Sequence, residues 1–205
     1  PSRDEMIQYL EKYTSDMDIT PRFNVGIDSI VKESGCWVAS AEEEQYRSEY
    51  LVMATGYNRL PNIPEWEHMA SFSGSCLHSS DYKNSKAYKG MRVLVIGIGN
   101  SGAEIALDLV GSAASVDISV RSPLNVVARD PWGIPAQVAG LLLSRLPLSM
   151  ADRVGALAQW SRYGDLSAYG LRRADMGAAS MLEYEGRVAL VDVGTMALLK
   201  SGAIQ

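Results

Sequence analysis

Residues 91–122 read MRVLVIGIGNSGAEIALDLVGSAASVDISVRS. Val93, Leu94, Val95 and Ile96 form an unbroken apolar run, the pattern of a strand buried on both faces of a parallel sheet. The run enters GIGNSG (97–102). Beyond it, Ala103, Ile105, Ala106, Leu109 and Val110 recur at helical spacing. Val116, Ile118 and Val120 then alternate as a second strand that ends at Arg121. The stretch predicts a strand–helix–strand unit of about 30 residues, with the helix as crossover between parallel strands.

The glycine spacing in this unit is that of a dinucleotide-binding turn, and its position between a strand and a helix gives it weight. Gly97 permits the tight turn. Gly99 has no side chain, so a pyrophosphate can approach the backbone. Gly102 lets helix and strand pack closely. The helix N-terminus presents N–H groups and the positive end of its dipole to phosphates, and Asn100 and Ser101 can add side-chain hydrogen bonds. A tight turn without a ligand accounts for the glycines but not for the full strand–glycine–helix context. The second strand decides between coenzymes. An NAD site places an acidic residue there to hold the ribose 2′-hydroxyl; here the strand ends in Arg121-Ser122. A guanidinium pairs with a 2′-phosphate that a carboxylate would repel, so NADPH is expected over NADH.

Outward from this unit, Ser2 and Glu5 have the spacing of a capping box, and Met6, Ile7, Leu10, Tyr13 and Met17 predict a helix over 3–16 that stops before Pro21. A β region follows: Phe23, Val25 and Ile27 alternate, Cys36 to Ala39 read as a second strand, and Tyr46 to Ala54 as a third. Glu42-Glu43-Glu44 would form a solvated hairpin tip. Thr55-Gly56-Tyr57-Asn58 is a strand-ending turn, and Pro61 and Pro64 stiffen a linker. Toward the C-terminus, the stretch from Trp132 to Tyr163 reads as helical with a break at Pro147. Trp132, Trp160 and Leu141-Leu142-Leu143 are expected to build a core or cover a substrate. Val188 to Val193 predict a strand, and Thr195 to Lys200 a short helix.

With 205 residues, 47% hydrophobic and 21% charged, the chain has the composition of a globular protein. A net charge of −5 and a pI near 5.1 argue against a nucleic-acid partner. The most apolar stretch, between Asp130 and Arg145, falls short of the roughly 18 residues of a membrane span. Cys36 and Cys76 are the two cysteines, which fits a reducing, cytoplasmic compartment. Neither makes a CxxC pair or, with His68 and His78, a metal-ligand spacing, so no metal is expected. Cys76 reads as a small buried filler. No GxSxG is present. A chain opening on Pro1 is expected to be processed or a fragment.

FSGSCLHSSDYK (72–83) follows F-x-G-x-x-x-H-x-x-x-Y-K. It resembles the identifying motif of class B flavoprotein monooxygenases, in the branch of the flavin-containing and YUCCA-type (indole-3-pyruvate) monooxygenases. The Baeyer–Villiger branch carries Trp where Tyr82 stands. LVMATGYN (51–58), GIGNSG, Arg121-Ser122 and the late Asp192-Val193-Gly194 agree in order and spacing.

The resemblance implies an α/β flavoprotein with two dinucleotide-binding domains. Residues 1–57 would be part of a discontinuous FAD-binding domain, 58–90 a linker holding the motif, and 91–205 an incomplete Rossmann-like NADPH-binding domain. The family's FAD-binding GxGxxG is absent, so FAD would be held mainly by parts outside this chain, and the chain alone is expected to be inactive. It further implies that Thr55 and Gly56 lie near the flavin, and that Ser79 and Ser80 contact the nicotinamide side. His78 would pin the linker or connect NADPH binding to the flavin site, and Tyr82 and Lys83 would pack the linker. The implied reaction inserts one oxygen atom from O2 into a small organic substrate (an amine, a thioether or a 2-oxo acid) through a C4a-(hydro)peroxyflavin. NADP⁺ would shield that species from water. Two alternatives stay open: a non-catalytic NADP-binding module and another flavin-dependent NADPH oxidoreductase.

Overall fold

The computed structural model describes residues 2–42, 44–56 and 60–205. Two compact units emerge, 1–60 and 61–205; residues from Pro61 onward cluster with the second.

The first unit opens with helix α1 (Arg3–Asp16), whose capping box forms as the spacing predicts. The Glu5 N–H donates to Ser2 Oγ at 3.2 Å, and the Ser2 N–H to Glu5 Oε2 at 2.6 Å. The apolar stripe of α1 is exposed along its length. Strands β1 (Ser29–Glu33), β2 (Cys36–Ala41) and β3 (Glu44–Ser48) form an antiparallel meander in the order β1-β2-β3. Val31 faces Val38 in its register, and Ala39 faces Tyr46. The turn between β1 and β2 is Ser34-Gly35, both at positive φ.

One expected strand is not there and another is cut short. Residues 23–27 are coil, bent at Asn24 with φ 59°. The third strand ends at Ser48 rather than Ala54, and Val52 is 85% exposed. Alternation specifies which face a strand would bury, but a strand forms only with a hydrogen-bonded neighbour, and these segments have none among the described residues. Glu43, Tyr57 and Asn58, assigned to turns from the sequence, lie outside the described residues.

The second unit contains the predicted crossover: β4 (Arg92–Ile96), α2 (Asn100–Leu109) and β5 (Ser115–Ser119), with β4 and β5 parallel in the register Val93↔Val116 and Val95↔Ile118. Val95, Ala103, Ala106, Leu109 and Val116 form the centre of the core. Only one face of β4 is buried. Leu94 and Ile96 are exposed, against the expectation of a strand covered on both sides. Gln205 extends the sheet beyond β5, donating to Val116 O (3.0 Å) and accepting from the Ile118 N–H (2.7 Å).

A second parallel pair joins β6 (Val126–Ala128) to β7 (Leu190–Asp192), so the late strand is shorter than its sequence reading. Between them lie α3 (Ala136–Leu143), α4 (Leu148–Tyr163) and α5 (Ala178–Glu185), with the predicted break at Pro147. Asp152 of α4 caps α5 by accepting from the Ala179 and Ser180 N–H groups and the Ser180 hydroxyl. Gly177 leaves room for that carboxylate, since a Cβ there would collide with it. Of the two roles expected of Leu141, Leu142 and Trp160, a core is not what the structure shows, since all three are more than half exposed, whereas Ala151 and Tyr163 of α4 are buried. The Trp132 side chain lies outside the described ones. Helix α6 (Thr195–Ser201) closes the unit against α2, where the fully buried Thr195 hydroxyl donates to Ala103 O at 2.8 Å.

Candidate functional site

The glycine turn joins β4 to α2. Gly97 has φ +101°, a backbone state that side chains other than glycine's rarely adopt. Its N–H donates to Ser119 O at 2.9 Å, which fixes the end of β5 beside the turn. Gly99 precedes the helix in extended conformation, and a Cβ there would meet nothing within 4 Å. Gly102 is the tight position: a Cβ would lie well under 3.0 Å from Gly97 O and 3.5 Å from Val95 Cγ1. Helix and turn are in contact through the absence of that carbon.

The start of α2 has no side-chain cap, as at α3 and α4, which follow Pro135 and Pro147, whereas α1 is capped by its own box and α5 by Asp152. The first N–H groups of a helix need partners from outside it. Here they open onto the unobstructed space at Gly99, an arrangement suited to an anion. Ser101 stands exposed in this first turn. Asn100 has a different task from the one expected: its Oδ1 accepts the Val191 N–H at 2.8 Å and ties β7 to the turn. Arg121 and Ser122 are exposed just beyond β5, two and three residues after the Ser119 carbonyl that grips Gly97. Gly97, Gly99, Asn100, Ser101 and Gly102 thus lie on one turn, and Arg121 and Ser122 follow shortly after the Ser119 carbonyl that accepts from it.

The linker motif is anchored elsewhere. The Tyr82 hydroxyl donates to Asp108 Oδ2 at 2.5 Å, and the Ser85 N–H reaches the same oxygen at 2.8 Å. Tyr82 stacks on Tyr88 with ring centroids 5.5 Å apart. Burial, and then the Asp108 carboxylate, raise the Tyr82 phenol above its ordinary range. Asp108 sits near the C-terminal end of α2, about 13 Å along the axis from the glycine turn at 1.5 Å per residue. The Ser80 N–H donates to His78 Nδ1 at 3.2 Å, and the Ser80 hydroxyl lies 3.0 Å from the same nitrogen. Lys83 Nζ donates to Ser80 O at 3.4 Å. Among the described residues, no hydrogen bond links His78, Ser79 or Ser80 to the glycine turn. Cys76 is exposed, not a buried filler. Thr55 and Gly56 lie in exposed coil of the first unit.

Sequence reading missed Asp108, which is 26 residues from Tyr82 and carries no local signal. It noted Asp192-Val193-Gly194 without its purpose. Asp192 Oδ1 accepts the Gly194 and Met196 N–H groups and so caps α6.

A family model described as pyridine nucleotide-disulphide oxidoreductase matches residues 1–132. A relative from Arabidopsis thaliana, described as a probable indole-3-pyruvate monooxygenase, YUCCA1, is 38% identical over 210 residues and aligns with 100% of this chain. The chain belongs to the pyridine nucleotide-disulphide oxidoreductase family, in its YUCCA and flavin-containing monooxygenase branch. It spans about half the length of the curated relatives it matches, 51% in the case of YUCCA1. Among solved structures, a flavin monooxygenase from Stenotrophomonas maltophilia is 26% identical, with a TM-score of 0.61 over 70% of this chain and 42% of that one. The cyclohexanone monooxygenase of Rhodococcus sp. Phi1, solved bound to NADP⁺, superposes on 100% of this chain and 50% of its own with a TM-score of 0.70. At 18% identity that likeness shows the fold alone. Among the described residues no helix is long and apolar enough to cross a membrane.

Proposed function

We propose that residues 91–205 form the Rossmann-like NADPH-binding domain of an NADPH- and FAD-dependent monooxygenase, and that residues 1–57 are part of its discontinuous FAD-binding domain, joined by the 58–90 linker. The N-terminus of α2, uncapped and set directly behind the glycine turn, carries this reading. It sits behind a glycine turn that excludes a Cβ at Gly102 and leaves open space at Gly99. In the proposed complex the N–H groups of this first helical turn hold the pyrophosphate, with the Ser101 hydroxyl and the Asn100 amide beside them. Arg121 and Ser122 hold the adenosine 2′-phosphate. NADPH, when bound, supplies a hydride. The chain's own part is to bind, to orient and to select the phosphorylated coenzyme.

For FAD the described residues present no comparable cradle. Thr55 and Gly56 are assigned to the flavin side on the family resemblance, as are His78, Ser79 and Ser80 to the nicotinamide side, and no chemical step is drawn through them. The relatives' description makes indole-3-pyruvate, a 2-oxo acid with an apolar ring, the first substrate to try, with O2 as co-substrate. Two experiments test the reading. Arg121→Ala should weaken NADPH binding by about tenfold or more, since a hydrogen bond to a charged group contributes about 1.5–3 kcal/mol, and should leave NADH within about twofold. Equal loss for both coenzymes contradicts the 2′-phosphate assignment. The full-length enzyme given NADPH, O2 and indole-3-pyruvate should yield an oxygenated product by mass spectrometry. NADPH oxidation to peroxide alone, with no oxygenated product, would favour an NADPH oxidoreductase that does not oxygenate.

A further inference from the structure

The late segment from Leu190 to Met196 grips the first turn of α2 at two points. The Leu190 N–H donates to Asn125 O at 2.9 Å, on the β6 side of β7. Backbone N–H groups alternate in direction along a strand, so the next one, on Val191, points to the opposite edge. Among the described residues no strand pairs with that edge. Asn100 takes the place of one: its Oδ1 accepts the Val191 N–H at 2.8 Å. Four residues on, the Thr195 hydroxyl, fully buried, donates to Ala103 O at 2.8 Å. Ala103 is the residue whose N–H closes the first turn of α2 on Gly99 O, at 2.9 Å.

The bond to Val191 decides how the Asn100 carboxamide is turned. A backbone N–H can only donate, so it meets the amide oxygen, and the amide nitrogen with its two N–H donors faces away from β7. Asn100 is exposed, and its Nδ2 has no hydrogen-bond partner among the described residues. These donors stand at the first residue of the uncapped helix, directly after Gly99. The gripping segment is fixed by bonds of its own. Asp192 Oδ1 holds the Gly194 and Met196 N–H groups at 3.0 and 3.1 Å. A Cβ at Gly194, whose φ is +132°, would meet Leu107 of α2 at 3.5 Å. A donor oriented before its ligand arrives loses less freedom on binding than one that has to be ordered.

We propose that the Asn100 amide nitrogen donates to the pyrophosphate of the dinucleotide in an orientation imposed by the Val191 N–H, and that Thr195 is the positioning residue that holds the first turn of α2 against β7. This rests on the dinucleotide reading of the glycine turn. It gives a segment 91 and 92 residues away in sequence a part in coenzyme affinity without touching the coenzyme.

Titration of the ¹⁵N-labelled chain with NADP⁺ tests the proposal on the wild type, whether or not a variant folds. The two Nδ2 protons of Asn100, assigned by their disappearance in Asn100→Asp, should shift with the same saturation as the backbone amides of Ile98 to Gly102. Calorimetry then separates positioning from folding. Thr195→Val keeps the shape of the side chain and loses its hydroxyl, so NADP⁺ binding should weaken about fivefold. Thr195→Ser, which keeps the hydroxyl, should stay within about twofold of wild type. Shifts at 98–102 with stationary Nδ2 protons overturn the orientation of Asn100 and leave the dinucleotide reading standing. A Thr195→Val chain whose Tm falls while its NADP⁺ affinity holds overturns the positioning role, since it leaves Thr195 a structural residue alone. Saturable shifts elsewhere on the chain, or no binding at all, overturn both readings.

Discussion

Gly102→Ala sets two effects of opposite sign against each other. Alanine in place of glycine within a helix is worth about 1 kcal/mol on propensity alone. At Gly102 the added carbon would be driven into the Gly97 carbonyl, with Gly97 C at 3.1 Å and Val95 Cγ1 at 3.5 Å. Forcing a methyl into a packed site costs about 1–3 kcal/mol. The upper end applies here, because the obstacle is backbone that is itself held by the Gly97–Ser119 hydrogen bond. The difference is a net loss of about 2 kcal/mol, or about 4–8 °C in Tm for a chain of this size. Gly155→Ala in α4 is the matched control: a Cβ there meets nothing within 4 Å, so propensity acts alone and stability should rise by about 0.5–1 kcal/mol. Thermal and urea unfolding followed by circular dichroism measures both. A Gly102→Ala variant as stable as wild type, beside a stabilised Gly155→Ala, would show that helix and turn are not in the contact described, and the packing argument would fail.

Further outcomes follow from the same geometry. Gly99→Val should abolish NADPH binding while leaving Tm within about 2 °C, because the side chain enters open space on the ligand side; retained affinity by calorimetry would remove the pyrophosphate from this turn. Asp152→Ala should cost about 1–2 kcal/mol in thermal unfolding, since it strips the N-terminal cap from α5; a loss below about 0.3 kcal/mol would count against that cap. Burial, and then Asp192, hold the Tyr163 phenol above its ordinary range, so the folded state binds that proton more tightly than the unfolded chain. Its contribution is intact below about pH 10 and is lost as pH rises beyond it. Tyr163→Phe should flatten the alkaline loss of stability, and an unaltered slope between pH 9 and 12 would contradict this.

The parts of the fold that were legible are those with local periodicity. The β4–α2–β5 crossover and α1 with its Ser2–Glu5 box were readable because every signal falls within a few residues of its partner. Failures came where structure depends on a distant neighbour. Residues 23–27 and 49–54 have strand-like sequences, yet among the described residues they have nothing to pair with and remain coil. Leu94 and Ile96 read as core, but a sequence does not say how many layers cover a sheet. The site shows the same division. Gly97, Gly99 and Gly102 are predictable from spacing because their roles are set within one turn. Asn100 bonds to Val191, 91 residues away, and Tyr82 to Asp108 across 26 residues. Such pairings become visible only once the chain has folded. The Leu124–Arg173 bridge belongs to this second kind.

The central claim is that the turn at 97–102 receives the phosphates of NADP. Amide resonances followed by ¹H–¹⁵N NMR during titration with NADP⁺ address it directly. The account predicts that the largest shifts fall on Ile98 to Gly102 and on Arg121 and Ser122. Saturable binding that leaves these resonances in place, with shifts gathered elsewhere on the chain, would contradict it.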